Sequence, residues 1–430
     1  MKKILAGLLL LSAAFAFAGG NKDSAAEESG VTTLSFINWG SAEEATMAAF
    51  NAMIADFEQK NPDIKIDNWV VPYNQMFDQL LILNAGGEPP DVAQLHGTWV
   101  SALQNAGALA PLDSLLPQNV QDDFYPQVKE GLIYNGQLYA APWSPSPVVL
   151  YYNKTLLNKA GYTEPPKTME ELFVMAEAVA NLGADESGNT IYGVGIQSKK
   201  LNSSGFYFLP FIWDKGGDLT DETGNVVINS DATKQALAEV KELFDKNISP
   251  VGLEIKDLRT LFAQGLLGFT FDGDFGYATF LALSPKGQAF ADEIGIAVMP
   301  GEPGNMNGFF IEHNLGIFEK SEKKEAAARF VAYLSSPEAM AIYNANNGNK
   351  TPARYSVEQI PFYSAPENAH MRQFITAMQN SRPLPQKNPG FVAAMEEIAE
   401  GIQRVGINNE SPDTVVPEMA EKIIRIYSEQ

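Results

Sequence analysis

Apolar and polar positions alternate or recur along this chain in a way that predicts most of its elements. Val31 to Asn38 (VTTLSFIN) alternates as a strand, and Ser41-Ala-Glu-Glu44 has the Ser-x-x-Glu spacing of a capping box before a helix to about Lys60. Asn61-Pro62 stops that helix. Ile64 to Val71 reads as a second strand, Tyr73 to Asn84 as a second helix ended by Gly86-Gly87, and Asp91 to Leu95 as a third strand. Strand, helix, strand, helix, strand is the order of a parallel α/β unit.

The middle of the chain is more mixed. Asn135-Gly136 between LIY and QLYAA predicts a hairpin turn, and Val148 to Tyr152 a buried strand. Thr168-Met-Glu-Glu171 is a second capping box, opening a helix to about Leu182. The aspartate-rich stretches DESGN (185–189) and DETGN (221–225) lack the full ligand pattern of a calcium loop and read as hairpin turns. Helices dominate the last third, at about 231–247, 322–335, 337–346, 367–379, 389–403 and 412–428. The final one sets Val416, Met419, Ala420, Ile423, Ile424 and Tyr427 on one stripe, which marks a core-facing helix.

The N-terminus changes the picture of where such a fold resides. Lys2 and Lys3, the apolar run Ile4 to Ala18 and the small residues of Ala16-Phe17-Ala18 have the order of a secretory signal peptide over residues 1–18, followed by a disordered leader over 19–30. The chain has no cysteine, so stability must come from a large core, and a lipid anchor built on a cysteine is excluded. The expected compartment is the periplasm, with free secretion second. About 412 residues then remain, enough for two or three domains at roughly 100 to 200 residues each. The formal charge is −22, and loss of Lys2 and Lys3 leaves 28 basic against 52 acidic residues, or −24. That field argues against nucleic acid and anionic lipid as partners. No later run of eighteen apolar residues predicts a membrane span.

Catalytic patterns are sparse. His96, His313 and His370 are the histidines, with no G-x-S-x-G elbow or H-E-x-x-H pattern, and Gly193-Val-Gly195 lacks the third glycine of a dinucleotide loop. No cofactor is expected. Asp272-Gly-Asp274 reads three ways: an acid/base pair of a glycoside hydrolase, caps of a helix starting near Phe275, or acceptors for ligand hydroxyls. The tryptophans are Trp39, Trp69, Trp99, Trp143 and Trp213. Trp69 lies within a strand and reads as core, whereas Trp39 and Trp99 fall just past the carboxyl ends of strands, where open parallel sheets place ligands.

The order of motifs resembles the family 1 extracellular solute-binding proteins, the maltose-binding-protein-like receptors of ABC sugar importers. The matching stretches are Trp39-Gly40 with its helix, GGEPPDV, NGQLYAAPW, LYYNKTLLNKAGYTEPPKTMEEL, FAQGLLGFTFDGDFG and GNKTPAR. Two departures stand out: Leu267-Gly268 where the family has Ala-Met, and Phe275 where tryptophan is common. The resemblance implies an α/β fold of two lobes, each with a mixed sheet flanked by helices, and a ligand cleft between them. It implies an N-terminal lobe of 31–141 plus 314–362 and a C-terminal lobe of 142–313 plus 363–430, hinged near Ala141-Pro142, Glu312-Asn314 and Pro361. A proline suits a hinge strand, because its φ is fixed and it donates no ladder bond.

A pyranose has apolar faces and a hydroxyl rim, so its receptor needs aromatic plates and polar rim groups. The plates implied here are Trp39, Trp99, Trp143, Phe206 or Tyr207, Phe275, Phe309 and Phe391. The rim groups are Glu43, Glu44, Gln94, Asn202, Asp272 and Asp274, with His96 on the same wall and Arg382 or Lys387 at the margin. The function implied is a monomeric, non-enzymatic receptor delivering a sugar to a transmembrane permease. The alternatives are the same fold with a polyamine, glycerol phosphate diester, iron or peptide, or a hydrolase using Asp272 or Asp274.

Overall fold

The computed structural model of the chain describes residues 30–302, 307–346 and 350–429. The expected signal peptide (1–18) and all but the last residue of the expected leader (19–30) lie outside them. Strands β1 (Thr32–Asn38), β2 (Ile64–Val70) and β3 (Val92–His96) form the parallel core expected from the first hundred residues, in the order β3-β1-β2. A minor hairpin, β4 (Ile133–Tyr134) and β5 (Gln137–Leu138), turns at Asn135 and Gly136, both with φ > 0 (51° and 78°), as an Asn-Gly turn of the primed type requires.

The chain then leaves the first sheet through β6 (Ala141–Pro147) and enters a second. That sheet comprises β7 (Val149–Asn153), β8 (Tyr192–Gly195), β9 (Leu267–Asp272) and β10 (Ile294–Ala297), in the order β10-β7-β9-β8. β11 (Gly308–Ile317) returns antiparallel to β3, and β12 (Ser381–Arg382) pairs with the start of β11. Both sheets are mixed and flanked by helices, the two-lobe arrangement expected. β6 and β11 pair with each other where the chain passes between the sheets.

β6 carries prolines at 142, 145 and 147, and among the described strands it pairs on β11 alone. Its register slips where His313 faces Ser144 but Asn314 faces Pro142, leaving Trp143 as a bulge. The bulge turns the Trp143 indole into the core. Its Nε1 donates to Leu334 O at 3.0 Å and its ring packs edge-on against Phe50 and Tyr343.

Asp91 explains the emphatic stop at GGEPPD. Gly87 ends the helix Tyr73–Gly86 in the left-handed region (φ 82°). The Asp91 carboxylate then accepts from Ser35 N (2.9 Å), Ser321 Oγ (2.6 Å) and Lys323 Nζ (3.1 Å), fastening β3 beside β1. Burial opposes its charge, but those donors outweigh burial and hold the carboxyl below its usual range.

Some local expectations change. The helix after β1 spans Glu44–Lys60 without a side-chain cap, because Ser41 is buried in the preceding turn, its N–H bound to Asn38 Oδ1 at 2.8 Å. Thr168 does cap its helix, accepting from Glu171 N at 3.1 Å, while Glu171 reaches back to Lys167 N. Trp69 is half-buried on the edge strand β2, its Nε1 on Asp67. Helix Asn202–Asp214 was not read from the sequence, since it is apolar nearly all round and holds Pro210 inside. The two aspartate-rich turns spend carboxylate oxygens on their own backbone: Asp185 and Asp221 each accept from the amides two and four residues on. Among the described residues, no helix is long and apolar enough to cross a membrane.

Candidate functional site

The carboxyl ends of β1 and β3 carry an aromatic wall. Trp39 follows β1 directly, and its indole lies edge-on to Trp99 (5.5 Å), Tyr73 (5.5 Å) and His313 (5.2 Å). Tyr73 and Phe77, one turn apart on their helix, both stack on Trp99 at 5.3 and 5.7 Å. His313 joins because antiparallel register sets it opposite His96. Trp39 and Trp99 are buried (3% and 7% exposed), whereas Tyr73 is 45% exposed and is the open face of the wall. Glycine at 40 is obligatory, since a Cβ there would sit 2.0 Å from the Phe50 ring.

Gln94 supports this wall from behind. Its Oε1 accepts from the backbone N–H of Trp39 (3.2 Å) and Gly40 (3.1 Å), so the turn after β1 is held by a side chain of β3. His96 Nδ1 pairs with Thr98 Oγ1 at 2.8 Å, and burial pushes His96 down to about 4. Burial, Lys350 and His96 push His313 well below its ordinary value, so both imidazoles are neutral at pH 7. Glu43 reaches solvent at the lip, where partial desolvation raises its carboxyl against the opposing pull of Lys350. Glu44 is exposed in the first turn of the same helix.

On the second lobe the acidic pair is already engaged. Asp272 is fully buried, with Arg259 Nε at 2.6 Å and Nη2 at 2.9 Å. Burial disfavours the guanidinium charge, but Asp272 outweighs it and raises the Arg259 pKa. Asp274 accepts from Ser146 Oγ and from both N (3.0 Å) and Oγ1 (2.9 Å) of Thr351, with Lys350 Nζ 3.8 Å away. It begins the helix Phe275–Leu283 without a side-chain cap bond of its own. Phe275 lies beneath two cations, Arg259 and Lys350, each 5.2 Å from its centroid.

The remaining expected residues divide between this region and the interior. Half-buried Phe206 and buried Tyr207 pack on each other and on Phe309, and Asp272 and Arg259 are within electrostatic reach of Tyr207. Phe309 and Phe391 are fully enclosed in the second lobe's core, as Trp143 is in the first. Asn202 is half-buried at the start of helix Asn202–Asp214. Arg382 stacks on Trp213 at 3.7 Å and bonds Asp218 at 2.8 Å, and the carbonyl of Lys387 accepts from Ser101 Oγ. Tyr73, Phe77, His313, Arg259 and Lys350 also stand in this candidate site and were not among the expected ligand contacts. GNKTPAR signalled Lys350 through the family resemblance, and His313 lay in the expected hinge at Glu312-Asn314.

The arrangement offers aromatic faces, neutral imidazoles and an acidic pair, Asp272 and Asp274, whose charges are already engaged. Residues 40–341 match the family described as bacterial extracellular solute-binding protein. A putative binding protein of Brucella abortus (strain 2308) is 25% identical over 370 residues, 85% of this chain and 86% of the relative. The diacetylchitobiose-binding protein DasA of Streptomyces coelicolor is 24% identical over 345 residues, 77% of each chain. The GacH receptor of Streptomyces glaucescens, solved unliganded and with acarbose, superposes with a TM-score of 0.78 at 24% identity, covering 93% of this chain and 99% of that one.

Proposed function

The chain belongs to the bacterial extracellular solute-binding protein family, and from that premise we propose that it is a periplasmic receptor binding a mono- or oligosaccharide between its lobes for delivery to an ABC permease. The observation that carries the reading is the wall of Trp39, Trp99 and Tyr73, with Tyr73 open to solvent at the carboxyl ends of the parallel strands. The similarity to DasA and GacH, which bind diacetylchitobiose and acarbose, supports a saccharide. The lobes are about 31–141 plus 314–362 and about 142–313 plus 363–430, joined near Pro361 and at β6 and β11, whose Trp143 and His313 pack on the first lobe. Closure buries the ligand against both walls, and contacts made only in the closed state favour that state.

The competing readings find less support. A polyamine requires unpaired carboxylates on both walls of the cleft, but Asp272 is committed to Arg259 and Asp274 to Ser146 and Thr351, which leaves only Glu43 and Glu44 of the four expected acids. The same engagement leaves neither aspartate free to protonate a leaving group, so the protein acts without catalysis. Isothermal titration of the mature protein against maltose, maltotriose, diacetylchitobiose and their monosaccharides tests the reading. Saturable binding of one of these is expected. Silence toward all of them, with tight binding of spermidine, a glycerol phosphate diester, iron or a peptide, overturns it.

A further inference from the structure

Lys350 stands out among the buried charges. It is only 8% exposed, yet among the described residues no acceptor lies within hydrogen-bonding distance of its Nζ. Its nearest carboxylate oxygen, on Asp274, is 3.8 Å away and already serves Ser146. An ammonium has three donors, and none of them is spent on a described acceptor. The backbone that aims it is fixed on both sides: its N–H donates to Asn344 Oδ1 at 3.0 Å, and its carbonyl accepts from Tyr363 Oη at 2.6 Å.

The side chain lies where the lobes meet. Asp274 and the Phe275 ring, 5.2 Å from Nζ, belong to the second lobe, whereas Glu43 and His313, both within electrostatic reach, belong to the aromatic wall of the first. We infer that Lys350 is a specificity-determining residue that donates to ligand oxygens and selects a neutral saccharide. A sugar acid is disfavoured, because its carboxylate would join Asp274 as a second anion on one cation. This inference rests on the saccharide reading.

The test is titration of wild type, Lys350→Met and Lys350→Gln against the saccharide panel above, extended with D-glucuronate and D-galacturonate. Thermal melts of each ligand-free protein run alongside. The expected result is that wild type prefers a neutral sugar to the uronates, that K350M binds it about 10- to 100-fold more weakly, and that K350Q, which keeps an N–H donor, falls between them. Should K350M prove unfolded in its melt, the K350Q affinity decides. A folded variant binding within twofold of wild type overturns the assignment of Lys350, and tighter wild-type binding of a uronate overturns the neutral-ligand selectivity. A wild type that binds no saccharide fails at the receptor reading itself, a result distinct from either.

Discussion

Asp272 gives both carboxylate oxygens to the guanidinium of Arg259, at 2.6 and 2.9 Å, while its Oδ1 also accepts from Gly273 N. The carboxylate is wholly buried, and Arg259 is mostly so. Removing one member strands the other charge in the interior, so Asp272→Ala is expected to cost about 3–5 kcal/mol of stability. Urea denaturation measures it. The combined Arg259→Met and Asp272→Leu variant is expected to recover most of that loss, because no unpaired charge remains. Equal loss in the single and double variants would show that the pair is not the source.

Tyr73 and Trp39 touch, but they differ in burial, and the difference separates binding from folding. Trp39 packs against three rings at 3% exposure, so Trp39→Ala is expected to cost about 3–5 kcal/mol of stability. Tyr73→Ala removes a ring that is nearly half exposed. Its expected effect is a drop in saccharide affinity of about tenfold with a melting temperature close to wild type. Titration and melting of the two variants give the comparison.

The parallel strands, the Asn-Gly hairpin and the C-terminal helices were legible because each is set by periodicity or turn chemistry within a few residues. The placement of Trp39 and Trp99 followed from the same local logic, since a residue just past a parallel strand has few other places to go. Partnerships across the chain were not legible. Nothing near Asp272 announces Arg259, which lies on helix Ile255–Ala263 that the sequence reading did not include. His313 enters the wall only through its register with His96, and Trp143 leaves it only because of a one-residue bulge. Ser41 likewise had the spacing of a cap, yet Asn38 claims its N–H and the helix starts later.

The Asp274 carboxylate links three segments that are distant in sequence, and this predicts a mechanical effect. Ser146 lies on β6, Asp274 follows β9, and Thr351 belongs to the segment returning to the first lobe. Thr351→Val deletes the hydroxyl donor but keeps the backbone one, so it is expected to cost about 1.5–3 kcal/mol, the usual worth of a hydrogen bond to a charged group. Amide exchange in residues 350–354 is expected to accelerate in the same variant, while exchange in β1 and β3 stays unchanged. Uniform acceleration across the chain would indicate general destabilisation instead of a local tie.

Glu312 makes the stability of this protein depend on pH near neutrality. Its side chain is buried on β11, where Oε2 accepts from Gln386 Nε2 at 3.2 Å and Asn314 Nδ2 at 3.3 Å, and Oε1 has no partner among the described residues. Two glycines make room for it: a Cβ at Gly97 or Gly131 would lie 2.7 or 2.9 Å from its oxygens. Burial pushes its carboxyl up from 4.5 to about 8, against the pull of those two amides. The folded state thus holds a proton that the unfolded chain releases. The resulting stability is complete below pH 4.5, declines as pH rises and is gone above about 8, with a ceiling of about 5 kcal/mol from the shift. Glu312→Gln keeps the shape without the titration. The stability of E312Q relative to wild type is therefore expected to increase steadily between pH 5 and 8 and to level off beyond, as read from urea unfolding at each pH. A difference that does not change with pH would mean that Glu312 is ionised in the folded protein.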